Sequence, residues 1–248
     1  MTSYILITLA AFVAGIMNAI AGGGSIITFP VLVFTGVPSI VANASSAAAM
    51  CPAGLAAAWA YRRDLRRVHD VSILTATLVS LAGGAAGALL LLLTPQRAFD
   101  VVVPWLLLVA TLLFAFGPKL APVIQQRVHL TSTRLMAAQF VMMVYCGYYG
   151  GGVGVILMAV WSAFGHNDVH ALNAAKTLLV GLANLVAVTL FIVAGKVWWP
   201  QMLAMLVAGV TGGFLGAYVS RRLAPRRVRH VVIAIAATVT VVFFVRNA

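Results

Sequence analysis

Asn18-Ala19-Ile20-Ala21-Gly22-Gly23-Gly24-Ser25 interrupts the first apolar run of the chain, and 128 residues later Cys146-Gly147-Tyr148-Tyr149-Gly150-Gly151-Gly152-Val153 interrupts another in the same way. Three consecutive glycines inside hydrophobic sequence work against a helix, because each costs about 1 kcal/mol relative to alanine. Bare backbone is needed at this point, and needed twice. The runs before the triplets, Tyr4 to Ala21 and Leu135 to Tyr149, are followed by shorter ones, Ser25 to Val37 and Val153 to Phe164, of 13 and 12 residues. At 1.5 Å per residue the shorter runs reach only about 20 Å, against about 30 Å of hydrocarbon. Each pair therefore reads as a helix hairpin whose glycine turn lies inside a membrane. Such a turn is tolerable only where protein or water satisfies the freed backbone groups.

Composition places the whole chain in that solvent. Of 248 residues 63% are hydrophobic and 8% charged, with a mean hydropathy of +1.07, whereas about 25% of a soluble domain is charged. The expected fold class is all-α integral membrane. The net charge of +12 does not indicate nucleic acid, whose binders carry basic residues on a solvated face that this chain lacks. No Lys or Arg precedes Arg62, so the first run lacks the basic n-region of a cleaved signal peptide and reads as a retained membrane segment. Cys51 and Cys146 stand in separate apolar runs without metal or redox spacing and read as small core residues.

The remaining runs of spanning length are Val41 to Tyr61, Val71 to Leu93, Phe99 to Phe116, Val169 to Ala194, Trp199 to Ser220 and Val228 to Val245. They extend the repeat. Asn43-Ala44 matches Asn173-Ala174, Leu55 matches Leu185, Gly83-Gly84-x-x-Gly87 matches Gly212-Gly213-x-x-Gly216, and Pro95-x-Arg97 matches Pro225-x-Arg227, at offsets of 129 or 130. Two halves follow, 1–120 and 134–248, joined by a cytoplasmic linker at 121–133. Each half holds a glycine-turn hairpin and three spanning helices, eight to ten membrane segments in all.

Charge sets their orientation. Arg62, Arg63, Arg66 and Arg67, then Lys119, Arg127 and Arg134, then Arg221, Arg222, Arg226, Arg227 and Arg229 cluster in three loops, leaving Arg97, Lys196 and Arg246 opposite. Basic loops are cytoplasmic. The arginine loop at 62–67 corresponds to the sparsely charged turn at Lys196, and the turn at Pro95 corresponds to the arginine loop at 221–229. Equivalent loops thus fall on opposite sides, the pattern of inverted repeats, which is a transporter architecture. Both termini are expected outside the cell.

Oppositely inserted hairpins bring their turns together, and the helix N-termini after Gly24 and Gly152 would aim N–H groups and positive dipole ends at an anion. Close helix packing is the competing reason for such glycines, and the only one offered by the Gly83/Gly84/Gly87 and Gly212/Gly213/Gly216 sets. Downstream of each hairpin come polar residues at helical spacing: Asn43, Ser45 and Ser46, then Asn173, Lys176 and Thr177. Lys176 lies about two turns inside an apolar span, where an ammonium costs about 3 kcal/mol even on insertion scales. No acid stands at its depth: Asp64, Asp70, Asp100 and Asp168 are all near span ends, and there is no Glu. The missing counter-ion points to an anionic substrate, with snorkelling toward Asp168 as the alternative. His166, Asp168 and His170 resemble a ligand cluster, but Asp168 lies off the face shared by the histidines, so a loop and cap role fits better than metal. The tryptophans Trp59, Trp105, Trp198 and Trp199 read as interfacial anchors.

These motifs also carry a resemblance. Asn18-x-x-x-Gly22-Gly23-Gly24-Ser25-x-x-x-x-Pro30, Gly36-Val37-Pro38, Val41-Ala42-Asn43-Ala44 and Trp59-Ala60-Tyr61-Arg62-Arg63 resemble the first half of the sulfite exporter TauE/SafE family. Gly150-Gly151-Gly152-Val153-Gly154, Asn173-Ala174-Ala175-Lys176-Thr177, Ala183-Asn184-Leu185 and Gly195-Lys196-Val197-Trp198 are similar to its second. The second hairpin departs from the pattern at Tyr148-Tyr149 and lacks a counterpart of Pro30. The resemblance implies secondary transport of sulfur-containing anions such as sulfite or sulfonates across the cell inner membrane, with protons as coupling ion. The expected substrate site is Asn18, Gly22, Gly23, Gly24, Ser25, Asn43, Ser45, Ser46, Gly150, Gly151, Gly152, Asn173, Lys176 and Thr177. No metal and no cofactor is expected, nor catalysis, for want of a carboxylate pair or activated nucleophile. The partners expected are the anion, the bilayer, protons and a second copy of the chain. An anion channel or a non-transporting assembly factor on the same scaffold are the rival readings.

Overall fold

In this computed structural model the described residues, 2–20, 23–65, 71–127, 131–163, 169–220 and 225–247, are built from helices alone. Gly22, the arginines at 66, 67, 221 and 222, His166 and Asp168 lie outside them, as does the side chain of His170. The order is α1 (Thr2–Ile20), α2 (Ser25–Phe34), α3 (Ser39–Ala60), a 3-10 turn (Arg62–Asp64), α4 (Ile73–Leu93), α5 (Gln96–Arg127), α6 (Ser132–Tyr148), α7 (Val153–Ala163), α8 (Val169–Val193), α9 (Trp199–Ser220) and α10 (Pro225–Asn247). Among the described residues, Ser39–Ala60, Ile73–Leu93 and Ala171–Val193 are long and apolar enough to cross a membrane. The two helices after the glycine triplets have 10 and 11 residues, which gives arms of about 15 Å. The apolar run Phe99 to Phe116 is only the middle of α5, whose 32 residues continue to Arg127. Extending a helix is far cheaper than starting one, and the polar Gln125, Gln126 and Arg127 are good helix formers, so loss of hydrophobicity does not end it.

The helices pack against one another mainly in pairs. The most extensive contacts are α1 with α9 and α4 with α6, while α3 lies against α8 and α5 against α10. Glycine makes the first two possible. A Cβ on Gly212 would sit 2.1 Å from Phe12 O, and one on Gly15 2.2 Å from Gly209 O. In the other seam, Cβ atoms on Gly87 and Gly147 would meet Val144 O at 2.0 Å and Gly84 O at 2.1 Å. Here backbone touches backbone, the membrane substitute for hydrophobic pairing. The Gly83/Gly84/Gly87 and Gly212/Gly213 sets are therefore packing elements. The α4–α6 seam also holds a buried polar knot, in which Gln139 Nε2 donates to Ala76 O at 2.8 Å and Ser80 Oγ at 2.9 Å.

The two short helices are packed unequally. α5 packs along α7, whereas α10 touches α2 at few points. Between α1, α2 and α10 an apolar groove of about 470 Å³ remains, lined among others by Leu6, Val13, Val31, Phe34 and Ile235.

Candidate functional site

The second glycine turn follows directly from how α6 stops. Tyr149 N and Gly150 N both donate to Tyr145 O, at 2.9 and 3.1 Å, and Gly150 takes φ +77°, a left-handed closure that a glycine adopts without a Cβ penalty. Tyr145 then holds the turn from below, its hydroxyl donating to Gly151 O at 2.7 Å. Tyr149 folds back over the turn: a Cβ on Gly151 would lie 2.4 Å from its Cε1 and 3.1 Å from its Cζ. Gly152, at φ +73°, leads into α7. Among the described residues, the amides of Gly151 and Gly152 meet no backbone acceptor.

The first turn reaches the second. A Cβ on Gly23 would lie 3.6 Å from Gly152 Cα and 3.7 Å from its N, and the nearest atom to a Cβ on Gly152 would be Ile26 Cδ1 at 3.7 Å. The sequence places these tips across a midplane cavity. They do face each other, but in contact, with Ile26 filling the space between them. On the far side, Gly24 lies against α1, where a Cβ would meet Ala14 O at 2.7 Å and Asn18 Cβ at 3.3 Å. Ser25 opens α2 beside it, half-buried.

Lys176 comes to the second tip from α8. A Cβ on Gly154 would lie 3.3 Å from Lys176 Cδ and 3.6 Å from its Cε, so the side chain runs alongside the first turn of α7. Its Nζ donates to Asn173 Oδ1 at 2.7 Å. Thr177 Oγ1 turns the other way and donates to its own helix at Asn173 O, 2.7 Å. An ammonium beside a helix N-terminus joins two positive elements. A neutral amide oxygen is the one hydrogen-bond acceptor described for it.

The family model for the sulfite exporter TauE/SafE matches residues 7–243. The chain belongs to the sulfite exporter TauE/SafE family. A Haemophilus influenzae protein named "Probable membrane transporter protein" is 31% identical over 208 residues, covering 83% of this chain and 80% of its own. "Probable membrane transporter protein YfcA" of Escherichia coli K12 is 30% identical over 215 residues, 86% of this chain and 77% of its own. A Sinorhizobium relative, "Probable membrane transporter protein ORF9", is 29% identical over 216 residues, 87% of this chain and 80% of its own. No solved structure matches the chain. Family and relatives make this an integral membrane protein of a transporter family.

Within this TauE/SafE fold the first-half polar residues are spread out. Asn43 Nδ2 donates to Tyr148 O at 3.0 Å, tying α3 to the end of α6 just before the second tip. Ser46 and Thr28 share a buried hydroxyl hydrogen bond of 2.6 Å that joins α3 to α2. Ser45 Oγ accepts from Trp198 N at 2.8 Å and so secures the turn between α8 and α9. Asn43 and Ser46 thus brace the tips, and Ser45 is committed elsewhere.

Several residues of this family member are visible only in three dimensions. Thr28 and Phe29 on α2 and Tyr145 and Tyr149 around the second turn belong to the tips, with Phe29 edge-on to Tyr149 at 5.5 Å. Tyr148-Tyr149 stood out in the sequence as a departure from the first-half pattern, which was the available signal. A separate cavity of about 290 Å³ lies at the α2–α3 turn, lined by Ser39, Gln96, Asp100 and Phe243 among others. There Ser39 Oγ donates to Asp100 Oδ1, and Gln96 Nε2 bridges both, 2.7 Å from Ser39 Oγ and 3.1 Å from Asp100 Oδ1. Neither cavity is lined by a glycine of the tips.

Proposed function

We propose that this protein is a secondary transporter of small sulfur-containing anions, sulfite, a sulfonate or a related organic anion, coupled to protons. It works by alternating access of two inverted halves, 1–120 and 134–248, in the cell inner membrane with both termini outside. The observation that carries the reading is Lys176. Its ammonium stands beside the N-terminal turn of α7 with the Asn173 amide oxygen as acceptor, and that turn carries two backbone N–H groups without backbone acceptors among the described residues. The ammonium, the helix N-terminus and the two amides each favour negative charge, and an anion supplies it.

The pairing of helices supports the inverted halves. If α1 to α5 correspond in order to α6 to α10, the α1–α9 contact becomes the α6–α4 contact, and α3–α8 and α5–α10 each map onto themselves. The unequal pair supports alternating access: the α5–α7 side is closed while its counterpart, α10–α2, carries an open groove. The touching tips favour a carrier over an open channel, since an ion passing between them would have to part Gly23, Ile26 and Gly152. The test is sulfite and alkanesulfonate flux in proteoliposomes. Lys176→Ala should abolish it with yield and elution profile unchanged; wild-type flux in that variant removes Lys176 from the mechanism. Unitary conductance without proton dependence would establish the channel instead.

A further inference from the structure

Tyr149 is 3% exposed, and its hydroxyl is among the buried polar atoms with no hydrogen-bond partner among the described residues. A buried donor left without a partner is destabilising, so its presence calls for a physical reason. Phenylalanine would fill the same volume and keep the edge-on contacts with Phe29 at 5.5 Å and Tyr145 at 6.1 Å. The three other orphans among the described residues are differently placed, Gln201 Oε1 lying in the first turn of α9. Trp161 Nε1 belongs to a core cluster about 12 Å along α7 from the tip at 1.5 Å per residue. Gln139 leaves only Oε1 unmatched, its amide nitrogen being spent on Ala76 and Ser80.

The direction of the ring makes Tyr149 distinct. Its oxygen-bearing carbon lies over Gly151, the residue whose amide, with that of Gly152, meets no backbone acceptor among the described residues. A phenolic O–H is a neutral donor, and a hydrogen bond from it to an anionic oxygen is about twice as strong as one between neutral groups. Three donors without a described partner thus belong to the one turn that the first tip, through Gly23 and Ile26, covers.

We propose that the Tyr149 hydroxyl is a ligand of the transported anion, donating to an oxygen of a sulfite or sulfonate group held on the Gly151 and Gly152 amides. The proposal rests on the anion-transport reading and adds a residue to its site. When the tips part and the anion enters, the orphaned hydroxyl gains its partner; when the anion leaves, the hydroxyl is desolvated again. Phe29, packed against the ring, keeps it turned toward the glycines. Specificity follows: an anion with an oxygen free to accept from both the turn and the phenol is held, and a halide, with one small centre, cannot span them.

The test compares Tyr149→Phe, Tyr145→Phe and Lys176→Ala in the purified full-length protein, with sulfite, methanesulfonate and chloride as probes. Tyr149→Phe should raise the melting temperature of the anion-free protein and raise the half-saturating sulfite concentration about tenfold, at a maximal flux near wild type. Tyr145→Phe should lower the melting temperature, because it breaks the bond to Gly151 O. A Tyr149→Phe variant that binds sulfite and methanesulfonate like the wild type overturns the role of Tyr149 and leaves anion transport standing if Lys176→Ala still loses flux. A lowered melting temperature for Tyr149→Phe overturns the premise that the hydroxyl lacks a partner. Absence of any sulfite or methanesulfonate effect on the wild type overturns both readings together.

Discussion

The hydroxyl oxygens of Thr111 and Thr240 lie 3.2 Å apart, and the two residues are separated by 129 positions in the chain, the offset that relates the repeats. If the proposed inverted halves hold, a residue that touches its own repeat equivalent marks the axis relating them. Gly23 and Gly152, one position off strict equivalence in the glycine triplets, also approach each other, a Cβ on Gly23 lying 3.6 Å from Gly152 Cα. Both hydroxyls also point back to their own helices, Thr111 to Leu107 O and Thr240 to Ala236 O, at 2.7 Å each. The contact is therefore a marker of geometry more than a source of stability. In a protein with Cys51→Ala and Cys146→Ala, Thr111→Cys with Thr240→Cys should cross-link under mild oxidation, since disulfides demand close and well-aligned Cβ atoms. Thr111→Cys with Thr238→Cys should not, because Thr238 is exposed. Mass spectrometry of the digested protein reads both, and an uncross-linked first pair would mean that α5 and α10 do not meet on the axis.

Glycine at the seams has a different reason from glycine at the tips, and substitution separates the two. A Cβ on Gly87 would lie 2.0 Å from Val144 O and 2.8 Å from Tyr148 N, both backbone. Neither can move without separating α4 from α6, so Gly87→Ala should cost about 2–3 kcal/mol, the upper range for overpacking, and deplete folded monomer in size-exclusion profiles. Gly54 in α3 faces open space, and Gly54→Ala should be neutral or stabilising by up to about 1 kcal/mol.

The hairpins, their short arms and the exceptional lysine were legible in the sequence because each is a local signal: a glycine triplet, a run too short to span, a charge without company. Self-similarity at offsets of 128 to 130 added the expectation of two halves. Hydrogen-bond partners were not legible. Asn43 reaches Tyr148 O across 105 residues and Ser45 reaches Trp198 N across 153, so the same Asn-x-Ser-Ser stretch that looked like one polar face serves three separate purposes once Ser46 has paired with Thr28. The long α5 was missed for another reason: hydropathy reports where a helix leaves the apolar core, and hydrogen bonding along the backbone continues beyond it. The orphaned hydroxyl of Tyr149 is a property of assembled burial, which no local pattern encodes.

At the second tip, the ring of Tyr149 occupies the space a side chain at position 151 would need. Gly151→Ala should expel the ring, since 2.4 Å from Cε1 is far inside contact distance, and the cost should be about 1–3 kcal/mol. Adding Tyr149→Leu, which removes the obstructing ring edge, should recover part of that loss. A double-mutant cycle read by thermal unfolding should thus show coupling of at least about 0.5 kcal/mol, the floor for residues in contact. Strict additivity would mean that the ring does not lie over the turn.

The sharpest test of the charge argument concerns Asn173, whose Oδ1 lies 2.7 Å from Lys176 Nζ. Asn173→Asp preserves shape and the hydrogen bond while giving the ammonium a permanent counter-ion. Two unit charges 4 Å apart interact by about 4 kcal/mol at an effective dielectric constant of 20, enough to compete with any arriving anion. If the unmet charge of Lys176 recruits the substrate, Asn173→Asp should raise the half-saturating sulfite concentration by more than tenfold, corresponding to at least about 1.4 kcal/mol. The same variant should unfold at a higher temperature than wild type without anion, because a partly buried ammonium is then paired. Asn173→Ala separates charge from hydrogen bonding: it removes the acceptor and adds no charge, so it should weaken sulfite binding only through a less constrained Lys176. A variant series in which Asp and Ala at position 173 weaken binding equally would assign the loss to geometry, and Lys176 would then be a packing element of α8 against α7.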